Sequence, residues 1–134
     1  MSDQTSSNTF VFSDKIDAAY IYNMYEDDYS YIESMFKAVL DHFDEDLAAI
    51  QNNYGQKNID LLRRAVHKVR PAFGFAGMPV VQEKCKDFEN KCQAAKSINE
   101  LEMDYPELIK CLEEAGAVIT TEYRKLKSFN DACS

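Results

Sequence analysis

Apolar residues recur every three or four positions along most of this chain, which is the period of an α-helix with one buried face. The strongest pattern covers residues 59–76, where the steps between apolar positions are 3, 4, 3, 4 and 3. Asn58 precedes this pattern and can cap a helix with its side chain. We predict that the buried face of the helix consists of Ile59, Leu62, Val66, Val69, Phe73 and Ala76.

The same period predicts three further long helices, over residues 28–52, 79–95 and 105–129. On the first, the predicted buried positions are Ile32, Met35, Phe36, Val39, Leu40, Phe43, Leu47 and Ile50. On the second, they are Val81, Cys85, Phe88 and Cys92. On the third, they are Leu108, Leu112, Ala115, Ile119, Tyr123 and Leu126. Each helix therefore has one face available for a shared core.

A shorter helix is predicted before these four, capped by Ser13 or Asp14 and extending to about residue 25. Its predicted apolar face consists of Ile16, Ala19 and Tyr20. After the helix over residues 28–52, Gly55 is expected to stop the helix within a loop over residues 52–56. The remaining connections are a turn at residues 77–79 and a connector at residues 97–105.

Only four glycines and three prolines are present, and the connections between the helices are short. Short connections place consecutive helices antiparallel. We therefore predict an all-α fold, an antiparallel up-down four-helix bundle with an additional short N-terminal helix. Residues 13–134 are expected to form this domain, and residues 1–12, which begin with a polar stretch, to be a disordered N-terminal tail.

Several classes of protein are disfavoured by composition. No segment is apolar enough to span a membrane and the N-terminus does not resemble a signal peptide, so we expect a cytoplasmic protein without a membrane partner. The net charge of −8 argues against nucleic acid as a partner. No glycine-rich nucleotide loop and no hydrolase triad is present. No apolar face is left over for a second copy, so we expect a monomer.

The cysteines do not have the spacing of a metal site. No CxxC pair occurs, and no Glu-x-x-His pair of the kind that binds metal inside helical bundles is present. We therefore expect no bound metal and free, buried thiols. The four residues are Cys85, Cys92, Cys111 and Cys133.

One of the two histidines lies in a basic region. Residues 61–91 contain seven basic and three acidic side chains within a chain that is acidic as a whole. His67 falls at the edge of the predicted buried face, and cations next to it disfavour the imidazolium and favour the neutral, nucleophilic ring. A phosphoryl group on the ring would be stabilised by the same cations. The neighbours of His67 on the helix surface are Arg63, Arg64, Arg70, Pro71 and Gly74. His42 has no such surroundings and is interpreted as a surface or boundary residue.

Pro71 is unusual within a helical pattern. It has no N–H to donate to the carbonyl four residues earlier, which belongs to His67, so a kink or loosened turn is expected there. Small residues beyond it would keep the surface low, so that the backbone of another protein could approach. The predicted docking surface consists of Arg63, Arg64, Pro71, Gly74 and Gly77.

The segment around His67 resembles the signature of histidine-containing phosphotransfer (HPt) domains. His67 corresponds to the phosphorylated histidine, Val69 to an aliphatic position, Arg70 to a lysine that steadies the phosphoryl group, and Gly77 to a later glycine. The stretch from Cys85 to Glu89 is similar to an element of the family's next helix, and the resemblance covers residues 13–127.

Two departures from the family pattern affect this surface. Arg70 stands in place of lysine, which keeps the charge and changes its geometry. Pro71 and Phe73 stand where small residues are common, although a His-x-aliphatic-Lys/Arg-Pro pattern resembles a subgroup of the family.

The resemblance implies a phosphocarrier, not an enzyme that uses ATP. His67 would accept a phosphoryl group from the phospho-aspartate of a response regulator receiver domain, or of a hybrid sensor histidine kinase, and pass it to another receiver. Mg²⁺ is expected only on the partner receiver, so no cofactor is expected on this chain. The alternative is a helical adaptor that binds a receiver or another regulatory protein without being phosphorylated.

Three side chains of the helix over residues 79–95 could reach His67 if that helix packs beside the helix over residues 59–76. Glu89 would accept the second ring N–H and orient the imidazole, while Gln82 or Lys86 would bind phosphate together with Arg70 and Lys68. The alternative, that all three are solvated surface residues, stays open from the sequence.

Overall fold

The regular structure of the protein is entirely helical over residues 9–133, the part that the computed structural model describes. No strand occurs in this range, and the predicted all-α class is confirmed. The helices are α1 (Ala18–Tyr25), α2 (Tyr29–Gly55), α3 (Ile59–Phe75), α4 (Pro79–Ala94) and α5 (Asp104–Cys133), with a 3₁₀ helix (Ile98–Leu101) in the connector before α5.

The four long helices share one core. α3 packs between α2 and α4, α5 packs on both α2 and α4, and α1 packs on α2. The predicted buried face of α3 is confirmed: Ile59 is partly buried and packed on the core. Its other members are at most 2% exposed, namely Leu62, Val66, Val69, Phe73 and Ala76.

The start of α1 differs from the prediction. The helix begins at Ala18, and the cap is Asp17, whose side chain accepts the backbone N–H of Tyr20 at 3.0 Å, and not Ser13 or Asp14. The predicted apolar face is also wrong, because Ile16 is buried before the helix starts and Ile21 is the buried residue within it.

A buried carboxylate holds the residues before α1 in a turn. Glu122 of α5 is 1% exposed and accepts the backbone N–H of Ser13 at 2.7 Å, while Lys125 lies 3.2 Å from its other oxygen. This anchoring explains why the chain does not form helix from Ser13 onward.

The end of α2 also differs. The helix includes Gly55 and does not stop in a loop over residues 52–56, and Lys57 takes the left-handed backbone conformation with φ 59°. Tyr54 stacks on Tyr105 of α5 at a ring distance of 3.6 Å. This contact accounts for the additional helical turn, because packing against α5 stabilises the end of α2, which the sequence pattern assigned to a loop.

Part of the predicted tail is packed. Phe10 and Phe12 are partly buried and contact the core, with Phe10 5.5 Å from the ring of Phe129 and Phe12 6.2 Å from the ring of Phe36. These two side chains stabilise the fold by burying apolar surface. A disordered segment therefore cannot extend to residue 12, and residues 1–8 lie outside the described residues.

The cysteines divide by burial. Cys85 and Cys92 are buried free thiols as predicted, whereas Cys111 is half-buried and Cys133 is exposed, so the expectation of burial is wrong for Cys133. Within residues 9–133, no helix is both long and apolar enough to cross a membrane.

Candidate functional site

A tight turn sets α3 against α4. Gly77 in this turn has φ +76°, and the backbone N–H of Met78 donates to the carbonyl of Phe73 at 2.7 Å. Glycine adopts this conformation without the steric cost that a Cβ imposes. Pro79 then begins α4, where its missing N–H needs no helical partner.

Two contacts show that α3 and α4 run antiparallel. A Cβ at Gly74 would lie 2.8 Å from Nε2 of Gln82, so these two positions face each other. Seven residues earlier on α3, His67 contacts Glu89, which lies seven residues later on α4. The two contacts fix the register of the helix pair.

His67 points outward from α3 with its ring held at one edge. Val66 and Val69 beside it are buried and fix the face that the helix turns to the core. The side chain of His67 is 62% exposed, and its Nδ1 lies 2.8 Å from Oε1 of Glu89.

Glu89 is buried, in contrast to the surface position that the helical pattern also permitted. Its side chain is 9% exposed, and the carboxylate contacts two residues of α3. Oε1 faces His67, and Oε2 accepts a hydrogen bond from Nη1 of Arg70 at 3.0 Å. Both oxygens of a buried carboxylate are thereby paired, as the cost of burying a charge requires.

This contact selects one form of the histidine ring. An ionised carboxylate can only accept hydrogen bonds, so the ring nitrogen facing Glu89 carries the hydrogen. In a neutral imidazole the other nitrogen, Nε2, then has a free lone pair. Because most of the His67 side chain is exposed, this geometry can present a nucleophilic nitrogen to a partner.

The cations near His67 are paired with carboxylates. Arg63 and Arg64 each lie 3.2 Å from the carboxylate of Asp60. Lys68 lies 3.4 Å from Asp46 of α2. Arg70 is paired as well, because its side chain is 27% exposed and is bound to Glu89 of α4.

Lys86 differs from these four cations. It is exposed on α4, and no carboxylate among residues 9–133 lies within ion-pair distance of its ammonium group. Of the predicted site residues with a positive charge, Lys86 is therefore the one whose charge is uncompensated within the described part of the chain.

Gln82 does not lie beside His67. Its amide group covers Gly74, two helical turns or roughly 10 Å along α3 from the histidine at 1.5 Å per residue. The structure therefore separates Gln82 from the group formed by His67, Arg70 and Glu89.

The predicted docking surface is only partly open. Pro71 and Arg64 are exposed, and Arg63 is partly exposed. Gly74 is buried beneath Gln82, and Gly77 is buried where a Cβ would lie 2.5 Å from Cγ1 of Ile21. The two glycines thus serve contacts within the protein and do not form the expected low surface.

Pro71 lies within α3 and does not end it. The helix is continuous from Ile59 to Phe75, so the expected loosening is not a break in the helix. Pro71 still has no N–H to donate to the carbonyl of His67.

Two features of this region were missed from the sequence. Asp46, the partner of Lys68, is largely buried on α2, and only the register between α2 and α3 could have revealed it. Phe75, at the end of α3, is 46% exposed, and its carbonyl accepts a hydrogen bond from the hydroxyl of Tyr25 at 3.0 Å. Its place outside the apolar period of α3 was the available signal for an exposed aromatic ring.

No metal centre is evident in the described part of the chain. No group of three or more His, Cys, Asp or Glu side chains there could hold a metal ion. His42 is exposed on α2, as the sequence predicted.

The sequence profile and the fold of the chain are similar to those of known proteins. The sequence profile of the Hpt domain matches residues 34–118, which include His67, Arg70 and Glu89. The fold is similar to the crystal structure of the HPT domain from an Hpt sensor hybrid histidine kinase of Shewanella, with a TM-score of 0.72 and 20% sequence identity over 83% of this chain and 95% of that chain. No curated protein matches the chain.

Proposed function

The chain belongs to the Hpt domain family, whose members act in phosphotransfer, and on this premise we propose that His67 carries the phosphoryl group. The observation that supports this assignment is the 2.8 Å contact between His67 Nδ1 and Glu89 Oε1. It fixes the hydrogen on Nδ1 and leaves the lone pair of Nε2 at the exposed edge of the ring.

The transfer step uses this lone pair. The donor is a phospho-aspartate of a receiver domain, either free-standing or part of a hybrid sensor histidine kinase. The lone pair of Nε2 forms the N–P bond while the P–O bond to the aspartyl oxygen breaks, and the electron pair of that bond stays on the aspartate. Positive charge develops on the ring, and the Glu89 carboxylate at Nδ1 stabilises it. The reverse step returns the phosphoryl group to a receiver.

The partner supplies what this chain lacks. The receiver brings Mg²⁺ and its acidic pocket, while this chain supplies the nucleophile, its orientation and positive charge. The chain is thus a carrier that uses no ATP, acting as a monomer in the cytoplasm. Arg64 and Pro71, which are exposed near His67, are the members of the predicted docking surface available to contact the receiver.

The proposed fold in full is the antiparallel up-down four-helix bundle with α1 as an additional helix. The packing of α2 on α3, α3 on α4, α4 on α5 and α5 on α2 supports it. In this arrangement the α3–α4 pair presents His67 on the outside of the bundle.

The test is phosphotransfer from a panel of phosphorylated receivers. The chain is expected to gain acid-labile, base-stable phosphate, and His67→Gln to gain none. His42→Gln is the matched control and should behave as wild type, because His42 is exposed on α2. If the chain binds a receiver but accepts no phosphate, the adaptor is the correct interpretation.

A further inference from the structure

Building on the phosphorylation of His67 proposed above, we propose that the two nearby cations have separate functions. Arg70 is a positioning residue that acts on the histidine through Glu89, and Lys86 is the cation that contacts the phosphoryl group. This reverses the sequence expectation, in which Arg70 is the main phosphoryl partner.

The position of Arg70 supports its proposed function as a positioning residue. Its Nη1 donates to Oε2 of Glu89 at 3.0 Å, and the other oxygen of the same carboxylate faces Nδ1 of His67 at 2.8 Å. The carboxylate is therefore held at both ends by residues of α3. Because Glu89 is 7% exposed, its charge is costly to bury without a counter-charge, and Arg70 supplies that charge.

The contact of Nη1 with Glu89 holds the guanidinium of Arg70 toward the carboxylate. If Arg70 turned outward, Glu89 would lose its partner and the buried carboxylate would be left with the histidine alone. Charge-assisted hydrogen bonds of this kind are the stronger ones in proteins, so breaking one is unfavourable. Arg70 therefore holds Glu89 in place, and Glu89 in turn holds the imidazole ring.

The register of α3 and α4 supports the proposed contact of Lys86 with the phosphoryl group. Gly74 faces Gln82, and His67 faces Glu89. A residue that lies a given number of positions after His67 on α3 is therefore level with the residue that lies the same number of positions before Glu89 on α4. Lys86 precedes Glu89 by three residues, which places it level with the residue three after His67. That level is one helical turn from the histidine, within reach of a long lysine side chain.

The charge of Lys86 is available at this place. The three other cations close to His67 along α3 have carboxylate partners on Asp60 or Asp46. Lys86 is exposed and has no carboxylate within ion-pair distance among residues 9–133. Its ammonium group can therefore meet the oxygens of the phosphoryl group without giving up an existing partner.

A double-mutant cycle separates the two functions. The donor is phosphoramidate, a small molecule that removes receiver docking from the measurement. The Nε2–P bond forms as the P–N bond of the donor breaks, and ammonia leaves. Arg70→Gln should slow phosphorylation of His67 about tenfold in the wild-type background but less than about twofold in the Glu89→Gln background. Arg70→Lys, which keeps a charge for Glu89, should restore most of the rate.

Lys86→Gln should slow the same reaction about tenfold in both backgrounds, because it does not act through Glu89. Lys84→Gln is the matched control, with the same charge change on the same helix. Lys84 lines a groove between α4 and α5 together with Cys111, so this change should leave the rate unchanged. An undiminished effect of Arg70→Gln in the Glu89→Gln background would overturn the positioning function of Arg70. A wild-type rate for Lys86→Gln would overturn the contact of Lys86 with the phosphoryl group.

The ring form of His67 gives a readout that needs no phosphorylation. The ¹⁵N spectrum should show hydrogen on Nδ1 in the wild type, a larger fraction on Nε2 in Arg70→Gln, and no change in Lys86→Gln, with His42 as internal reference. An unchanged ring form in Arg70→Gln contradicts the positioning role. Failure of every variant and the wild type to take up phosphate would instead refute phosphorylation of His67 itself.

Discussion

Nδ1 of His67 and Oε1 of Glu89 lie 2.8 Å apart, although the two residues are 22 positions apart in the chain and belong to different helices. The histidine is exposed while the glutamate is buried. This pairing holds one edge of the ring against a buried carboxylate, while most of the His67 side chain is exposed. The turn between α3 and α4 and their antiparallel register produce it.

Removing this carboxylate is expected to slow phosphorylation. A hydrogen bond to a charged group contributes about 1.5–3 kcal/mol, so Glu89→Ala should reduce the rate of transfer from a phosphorylated receiver by roughly 10–100-fold. Glu83→Ala, an exposed residue of the same helix, is the control and should react as wild type. Equal rates for Glu89→Ala and wild type, with the helical circular dichroism spectrum retained, would show that the contact has no part in the reaction.

The turn glycine is expected to be required for folding stability. Gly77→Ala places a Cβ at φ +76° and 2.5 Å from Ile21, so the free energy of unfolding in urea should fall by about 2 kcal/mol or more. Gly55→Ala is the matched control, since nothing lies within 4 Å of its Cβ position at the end of α2. That change should be neutral or stabilising by up to about 1 kcal/mol. Similar losses in both variants would contradict the structure of the turn.

Pro71 is expected to reduce stability. It is exposed within α3, so its removal leaves no cavity, and Pro71→Ala restores an N–H that can donate to the carbonyl of His67. The free energy of unfolding should rise by about 1–2 kcal/mol, less than the full helix penalty because proline also restricts the unfolded chain. A decrease in urea denaturation midpoint would mean that Pro71 makes contacts that the helix needs.

The thiols are expected to react in order of exposure. Burial raises the pKa of Cys85 to about 12 and that of Cys92 to about 11, and burial also raises the pKa of Cys111. At pH 8 the two buried thiols stay protonated and unreactive. Iodoacetamide should therefore label Cys133 first and Cys111 slowly, with the others labelled only after unfolding, as peptide mass spectrometry can follow. Labelling of Cys85 in the folded protein at the rate of Cys133 would be inconsistent with this packing.

The helices were predictable because burial leaves a period in the sequence. The buried face of α3, from Leu62 to Ala76, follows from spacing alone, and Asn58 was identified as its cap because its side chain is suited to that role. Where tertiary contacts decide, the pattern failed. Tyr54 extends α2 by stacking on Tyr105, and nothing in the sequence around Tyr54 indicates that contact.

The sequence proposed the residues of the candidate site but did not determine how they are arranged. Spacing placed His67 at the edge of the buried face and allowed Glu89 to reach it. The sequence could not show that Arg70 would bind Glu89, because that depends on the register between α3 and α4. The same limit applied to Gly74, whose contact with Gln82 arises from that register.

The most direct test is the position of the phosphate on the ring. After transfer from a phosphorylated receiver, NMR coupling between ³¹P and the ¹⁵N-labelled imidazole identifies the phosphorylated nitrogen. We expect phosphate on Nε2 of His67, with the hydrogen on Nδ1 retained toward Glu89. Phosphate on Nδ1 of His67, on His42 or on any other residue would contradict the proposed function of His67.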